Sequence, residues 1–264
     1  MKSILGIALL TLVFASSLPA EEHPWIEQGV QHYRQGMESA DRSTRLDHFR
    51  QAERLFERAR EEHGERVSAD FEVNLGNAAL QAERLGPAIL AYRRALLLDP
   101  NHDVAHTNLD HARSLLPGWI PKPGSRSVVD TFFFWHYDLS RSEKETAGAL
   151  CFAVAAILLA LGLRLRKPGL RTTAVLPAIA WLALMGSWLV DPARAAASEA
   201  VVITPEVRAR AADSPTAPPR FPEPLVAGTE VTVLDTRAEW LRVGLANGRD
   251  AWLPASAVER LGGQ

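Results

Sequence analysis

The sequence predicts a multidomain membrane protein: all-α helical repeats, a two-helix transmembrane hairpin and a small all-β barrel, in that order. Three observations predict it. Two uncharged apolar stretches, Thr146–Leu163 and Thr172–Val190, each have about the length a helix needs to cross a hydrocarbon core of roughly 30 Å. Ahead of them, residues 69–102 place small and apolar residues at helical spacing on either side of a chain breaker. Behind them, from residue 199, the apolar period shortens to two and turn residues separate short runs.

The chain opens on a secretory signal, residues 1–20. Lys2 supplies the positive start, Ile4 to Phe14 an apolar core too short to span comfortably, and Ala15, Ser16, Ser17 and Ala20 the small residues of a cleavage site. Cleavage after Ala20 leaves Glu21-Glu22 first; cleavage after Ser17 fits the small-x-small rule better. Either way, residue 21 onward is expected outside the cytoplasm. The only cysteine, Cys151, lies in the first span, so no bridge within the chain can staple the soluble parts. The formal net charge of −2 over 264 residues decides nothing by itself. No basic face runs through the chain, and no nucleic-acid partner is expected.

Residues 21–116 form the helical domain. Leu75, Ala78, Ala79 and Ala82 mark one helix; Ala88, Ala91, Tyr92 and Ala95 mark a second. Gly86-Pro87 breaks the chain between them and Asp99-Pro100-Asn101 ends the pair. This 34-residue unit resembles the tetratricopeptide repeat (TPR) through Leu75-Gly76, Ala88, Tyr92, Ala95 and Pro100. The usual early aromatic is displaced, with Glu72 in its slot and Phe71 before it. Ala52, Phe56 and Ala59 repeat the second-helix spacing, and a helix with Trp25, Gly29 and Tyr33 would precede it. Gly29 to Ala52 is longer than the repeat allows, which predicts an inserted loop at Glu38–Thr44. Val104–Leu115 reads as a closing helix. The resemblance implies a groove for protein segments, with Asn74, Asn77 and Arg84 as its contacts and Arg93 and Arg94 as further candidates. The competing reading is ordinary solvated helix faces. His102, His106 and Asp110 stand at i, i+4 and i+8, but His102 falls in a turn and Asp110 in a packing slot; no metal site is expected.

Residues 117–145 are an aromatic juxtamembrane segment. Phe132-Phe133-Phe134-Trp135-His136-Tyr137 suits the bilayer interface, with a partner-docking patch as the alternative reading, and Ser142 with Glu145 reads as a capping box for the first span. The spans, 146–163 and 172–190, flank a loop, 164–171, that holds Arg164, Arg166, Lys167 and Arg171. Such a loop stays cytoplasmic, which puts both soluble parts on the other side. With no ionisable group inside the spans, transport has no polar path. Pro177 is expected to kink the second span.

After a tether, 191–198, come five expected strands within 199–264: Ala200–Ile203, Thr229–Asp235, Trp240–Leu245, Ala251–Leu253 and Val258–Leu261, with Asn247-Gly248 as a hairpin turn. The order of Gly228, Trp240, Asn247-Gly248-Arg249 and Ala251-Trp252 resembles the bacterial SH3 domain, although that family usually has glycine where Ala251 stands. The resemblance implies binding of peptides or cell-wall material and makes Trp240 and Trp252 the ligand-stacking candidates. The loop Ala211–Leu225 carries five prolines, as a ligand for another module or as an enlarged solvated loop.

No metalloprotease, serine-hydrolase or phosphate-binding motif occurs in the sequence. A non-enzyme without cofactor is expected. The whole order resembles the BatE-type TPR and SH3 membrane proteins of the bacterial aerotolerance group. That resemblance implies an inner-membrane complex with von Willebrand A-domain proteins and a MoxR-type ATPase, the soluble modules lying in the periplasm. Two functions follow as expectations: an assembly scaffold, or an accessory subunit of a cell-wall system that recognises peptidoglycan.

Overall fold

The computed structural model describes residues 24–64, 67–123, 141–189 and 198–262. The signal segment, the run of aromatics from Phe132 to Tyr137, Val190 and most of the tether lie outside the described residues, as does the side chain of Ser142. Two compact units result. The first combines the chain up to Pro123 with the chain from Ala196 onward; the second is Gly124–Ala195.

Five helices open the first unit: α1 (Pro24–Glu38), α2 (Arg42–His63), α3 (Ala69–Gln81), α4 (Leu85–Leu98) and α5 (Asp103–Ser114). Their starts follow from capping side chains. Asp41 accepts from the Thr44 amide at 2.8 Å, Ser68 from Phe71 at 3.2 Å, and His102 Nδ1 from Ala105 at 3.2 Å. His102 is thus a cap, as its place in a turn implied. α1 and α2 pack as an antiparallel hairpin fixed by glycines against rings. A Cβ on Gly29 would lie 2.8 Å from the Phe56 ring, and one on Gly36 2.8 Å from Phe49. Seven residues forward on α1 match seven back on α2, so both contacts belong to one register. Gly76 and Tyr92 make the same contact between α3 and α4.

Two sequence expectations change here. The loop expected at Glu38–Thr44 shrinks to the short link between Glu38 and Arg42, because the extra length is helical. The break between α3 and α4 sits at Ala82–Arg84, where Glu83 adopts φ +63° and the Arg84 amide reaches back to Ala79 O at 2.8 Å. Gly86 and Pro87 lie inside the first turn of α4, where proline's missing N–H costs nothing.

The C-terminal part is a five-stranded antiparallel sheet of order β6-β5-β4-β1-β7, plus a two-stranded ribbon of β2 and β3. The strands are β1 (Glu199–Val202), β2 (Glu206–Val207), β3 (Leu225–Val226), β4 (Glu230–Arg237), β5 (Trp240–Leu245), β6 (Asp250–Pro254) and β7 (Val258–Arg260), with a 3₁₀ turn at Ala255–Ala257. Gly248 supplies the positive φ, +79°, of the β5–β6 hairpin. The expected strands are all present; the short ribbon was not foreseen.

The helices and the sheet share one core. Ile89, Tyr92, Leu109 and Leu116 belong to the same buried cluster as Val201, Val202, Leu225, Val243 and Leu253. The approach is close enough that a Cβ on Gly86 would sit 2.7 Å from the Val202 carbonyl oxygen. Stacked helices need their last apolar face covered, and here α4 and α5 are covered by strands from the other end of the chain.

The second unit is a helical hairpin: α6 (Arg141–Arg164), α7 (Pro168–Thr173) and α8 (Val175–Leu189). Gly148 faces Met185, Phe152 stacks near Trp181 at 5.3 Å between centroids, and Gly162 faces Arg171. These three contacts keep one antiparallel register along the pair. α6 ends in a Schellman motif: Arg166 takes φ +53°, the Lys167 amide donates to Gly162 O at 3.1 Å and the Arg166 amide to Leu163 O at 3.4 Å. The break between α7 and α8 falls at Ala174, in the turn before Pro177, whose ring crowds the carbonyl four residues back. Glu145–Arg164 and Pro168–Gly186 are long and apolar enough to cross a membrane, and only 11% and 6% of their apolar windows are buried. Leu150, Ile157, Leu176 and Leu182 lie open. Apolar surface of that extent requires lipid or protein around it.

Candidate functional site

Each candidate contact has a defined place. Asn77 points inward on α3. Its Oδ1 accepts from the Tyr92 hydroxyl at 2.8 Å and from Asn108 Nδ2 at 2.9 Å, and the residue is 1% exposed. It ties α3, α4 and α5 together from within, which takes it off the groove face where the repeat pattern had put it. The reason is local: α2, α4 and α5 all pack on α3, so little of α3 meets water. Asn74 is half-buried on the same helix. Arg84 is open at the α3–α4 turn, and its Nη1 lies 2.9 Å from Oε1 of Glu53, a fully buried carboxylate on α2. Burial pushes the Glu53 carboxyl up to about 7 against the pull of Arg84.

Trp252 lies on β6, 9% exposed, with the Arg237 guanidinium 5.0 Å from its ring centroid. Its N–H and C=O both pair with Arg210 at 2.9 Å. It therefore packs within the sheet under a cation and is not an open platform for a ligand. Trp240 is half-buried at the start of β5, opposite Arg237 and Pro254. The proline-rich loop is neither a free ligand nor merely solvated. Arg210 brings it alongside β6, Ala209, Ala217 and Phe221 are buried, and Arg220 donates to the Asp250 carbonyl at 3.1 Å. Without it β6 would present an open edge.

A network of ion pairs lies where the helices meet the sheet. Glu230, 8% exposed at the start of β4, accepts from Arg113 Nε and Nη2, both at 2.8 Å, and from Arg93 Nη1 at 3.0 Å. Arg93 also reaches Glu199. Arg94 donates to Glu259 at 3.0 Å and to the carbonyls of Arg260 and Leu261 at 2.8 and 3.1 Å. Its guanidinium thereby fills the unpaired edge of β7, while Arg60 stands 3.8 Å from Glu259. A buried carboxylate with a bidentate arginine is held by geometry as much as by charge. Arg93 and Arg94, candidates for an external partner, spend their donors inside the molecule.

Nearby, Trp119, Pro121, Phe221, Pro222, Leu225 and Leu245 line an open cleft of about 220 Å³, with Arg249 4.4 Å above the Phe221 ring. Trp119 is 43% exposed. Sequence reading missed both this cleft and the charged junction. Their residues come from segments far apart in the chain, and no single stretch shows the pattern. Trp119, set between Pro117 and Pro121, was the available sequence signal for the cleft.

Among the described residues, no group of three or more His, Cys, Asp or Glu is placed to hold a metal ion. Compared with known proteins, the chain matches no family model, no curated protein and no solved structure.

Proposed function

We propose that the protein is a membrane-anchored interaction scaffold that holds a TPR-like array and an SH3-like barrel, fused as one body, outside the cytoplasm. One observation carries the reading. Residues before the apolar helices and residues after them share a hydrophobic core. Two halves of one core occupy one compartment, so the intervening chain crosses a bilayer an even number of times, as a two-helix hairpin does. Four basic residues in the connector set the hairpin's bend in the cytoplasm. The sequence's resemblance to the aerotolerance-group proteins gives the expected partners, von Willebrand A-domain membrane proteins acting with a MoxR-type ATPase, in the periplasm of the inner membrane.

Fusion of the modules restricts where a partner can bind. The faces of α4 and α5 that meet the sheet are occupied. The side of α1 and α2 away from α3 and the cleft around Trp119 remain open. The test is site-specific photocrosslinking in the intact membrane chain, with the probe at Gln31, Asn74 or Trp119. A scaffold gives a discrete adduct with a membrane protein from at least one position. Retention of the intact chain on purified peptidoglycan with no protein adduct would replace this reading with the cell-wall one.

A further inference from the structure

We propose that His32 and His48 form a bidentate site for one divalent transition-metal ion, with Cu²⁺ the strongest binder and the remaining positions filled by water or an outside ligand. His32 lies on α1 and His48 on α2, so the pair bridges the hairpin farthest in sequence from the sheet. Their Nδ1 atoms face each other at 3.2 Å, with ring centroids 5.5 Å apart and planes inclined by 35°.

Two facing ring nitrogens have two uses. One is a hydrogen bond, which needs one ring in its Nδ1–H form. The other is a shared cation. Metal–nitrogen bonds of roughly 2.0–2.1 Å set the two nitrogens about 2.9 Å apart at the right angle of a tetragonal site and about 3.3 Å apart at a tetrahedral angle. The observed spacing falls within that range, so the pair stands at a chelating distance; on binding, the Nδ1–H ring shifts its proton to Nε2 and the ion takes its place between the rings.

There is space for the ion. A cavity of about 410 Å³ opens beside the rings, lined also by Thr44, Asp47 and Gln51. Arg50 and Arg54 line the same cavity and oppose a cation, with Asp47 3.5 Å from Arg50 offsetting part of that charge. With two protein ligands and this opposition the site is exchangeable, not structural. Its preference follows the general order in which Cu²⁺ exceeds Ni²⁺ and Zn²⁺ for nitrogen ligands. Occupied, it clips α1 to α2 and stabilises the hairpin by mass action.

The test uses the full-length chain in detergent micelles, titrated with CuCl₂ by calorimetry and read by electron paramagnetic resonance. The expected result is one equivalent bound in the micromolar range, with two nitrogens coupled to the copper spin. His32→Gln and His48→Gln, which keep a polar pair between the helices, should each weaken binding at least tenfold. His106→Ala and His111→Ala, on the exposed face of α5, should leave it unchanged. No binding at about 100 µM Cu²⁺, one coupled nitrogen in the wild-type spectrum, or undiminished affinity in either glutamine variant would overturn the site.

Discussion

Glu53 shows what a single residue does to the stability of the array. It is fully buried, and neither carboxylate oxygen meets a hydrogen-bond donor in good geometry, although Arg84 stands near. Its carboxyl titrates near 7 in the fold against 4.5 in the open chain. Between those values the folded chain keeps a proton that the unfolded chain has released. Stability from this group is therefore fully present below about pH 4.5 and declines as pH rises through 7. Glu57 and Glu72, both pushed upward chiefly by burial, act in the same direction. Glu53→Gln removes the group's contribution to that decline. Thermal melts should show the variant gaining on the wild type from pH 5 to pH 8, by no more than about 3 kcal/mol at roughly 1.4 kcal/mol per unit. A constant difference between the two proteins across that range would refute the assignment.

Residue roles were the least legible part of the sequence. Spacing identified Asn77 as a special position on α3 but not which side it faced, because α3 is packed on most sides. Arg93 and Arg94 look like any surface arginines on an amphipathic helix. Their carboxylate partners Glu230 and Glu259 lie 137 and 165 residues further along the chain, and no local pattern carries that information.

At the scale of elements the sequence was far more informative. The helix periods and the Asn247-Gly248 hairpin are written in adjacent residues, and the elements they predict are present. The errors came where an element's length or setting depended on a distant neighbour. The first hairpin is longer than one repeat because a second glycine–ring contact, Gly36 with Phe49, extends it. The proline-rich loop looked unattached because its anchors lie outside it: Arg220 binds the carbonyls of Ala209 and Asp250, and Arg210 just before the loop pairs with the Trp252 backbone. Gly86 looked like a helix breaker, yet it sits inside α4 and lets that helix touch β1. This last point is testable. Gly86→Ala places a methyl against the Val202 carbonyl while improving helix propensity, so propensity alone predicts stabilisation of up to about 1 kcal/mol. The close contact wins if overpacking costs about 1–3 kcal/mol. Chemical denaturation should show the variant less stable than the wild type; a more stable variant would mean α4 and β1 are not in contact.

For the whole molecule, the order of parts along the chain hides their arrangement. The sequence separates helices from strands by two apolar spans and reads as two modules on tethers. The folded first unit joins them through Ile89, Leu116 and Val202, and through arginines that reach across to the strands. The first helices keep a core of their own around Phe49, Phe56 and Leu75, while α4, α5 and the strands bury theirs together. In the proposed arrangement the joint core puts both flanks of the hairpin in one compartment, and the basic connector supplies the orientation. The most direct measurement is cysteine accessibility in spheroplasts, with Cys151 replaced by alanine and single cysteines placed at Gly118, Gly169 or Asn247. A membrane-impermeant maleimide should label Gly118Cys and Asn247Cys in intact spheroplasts, and Gly169Cys only after permeabilisation. Labelling that puts the 118 and 247 positions on opposite sides of the membrane would contradict the shared core and the function built on it.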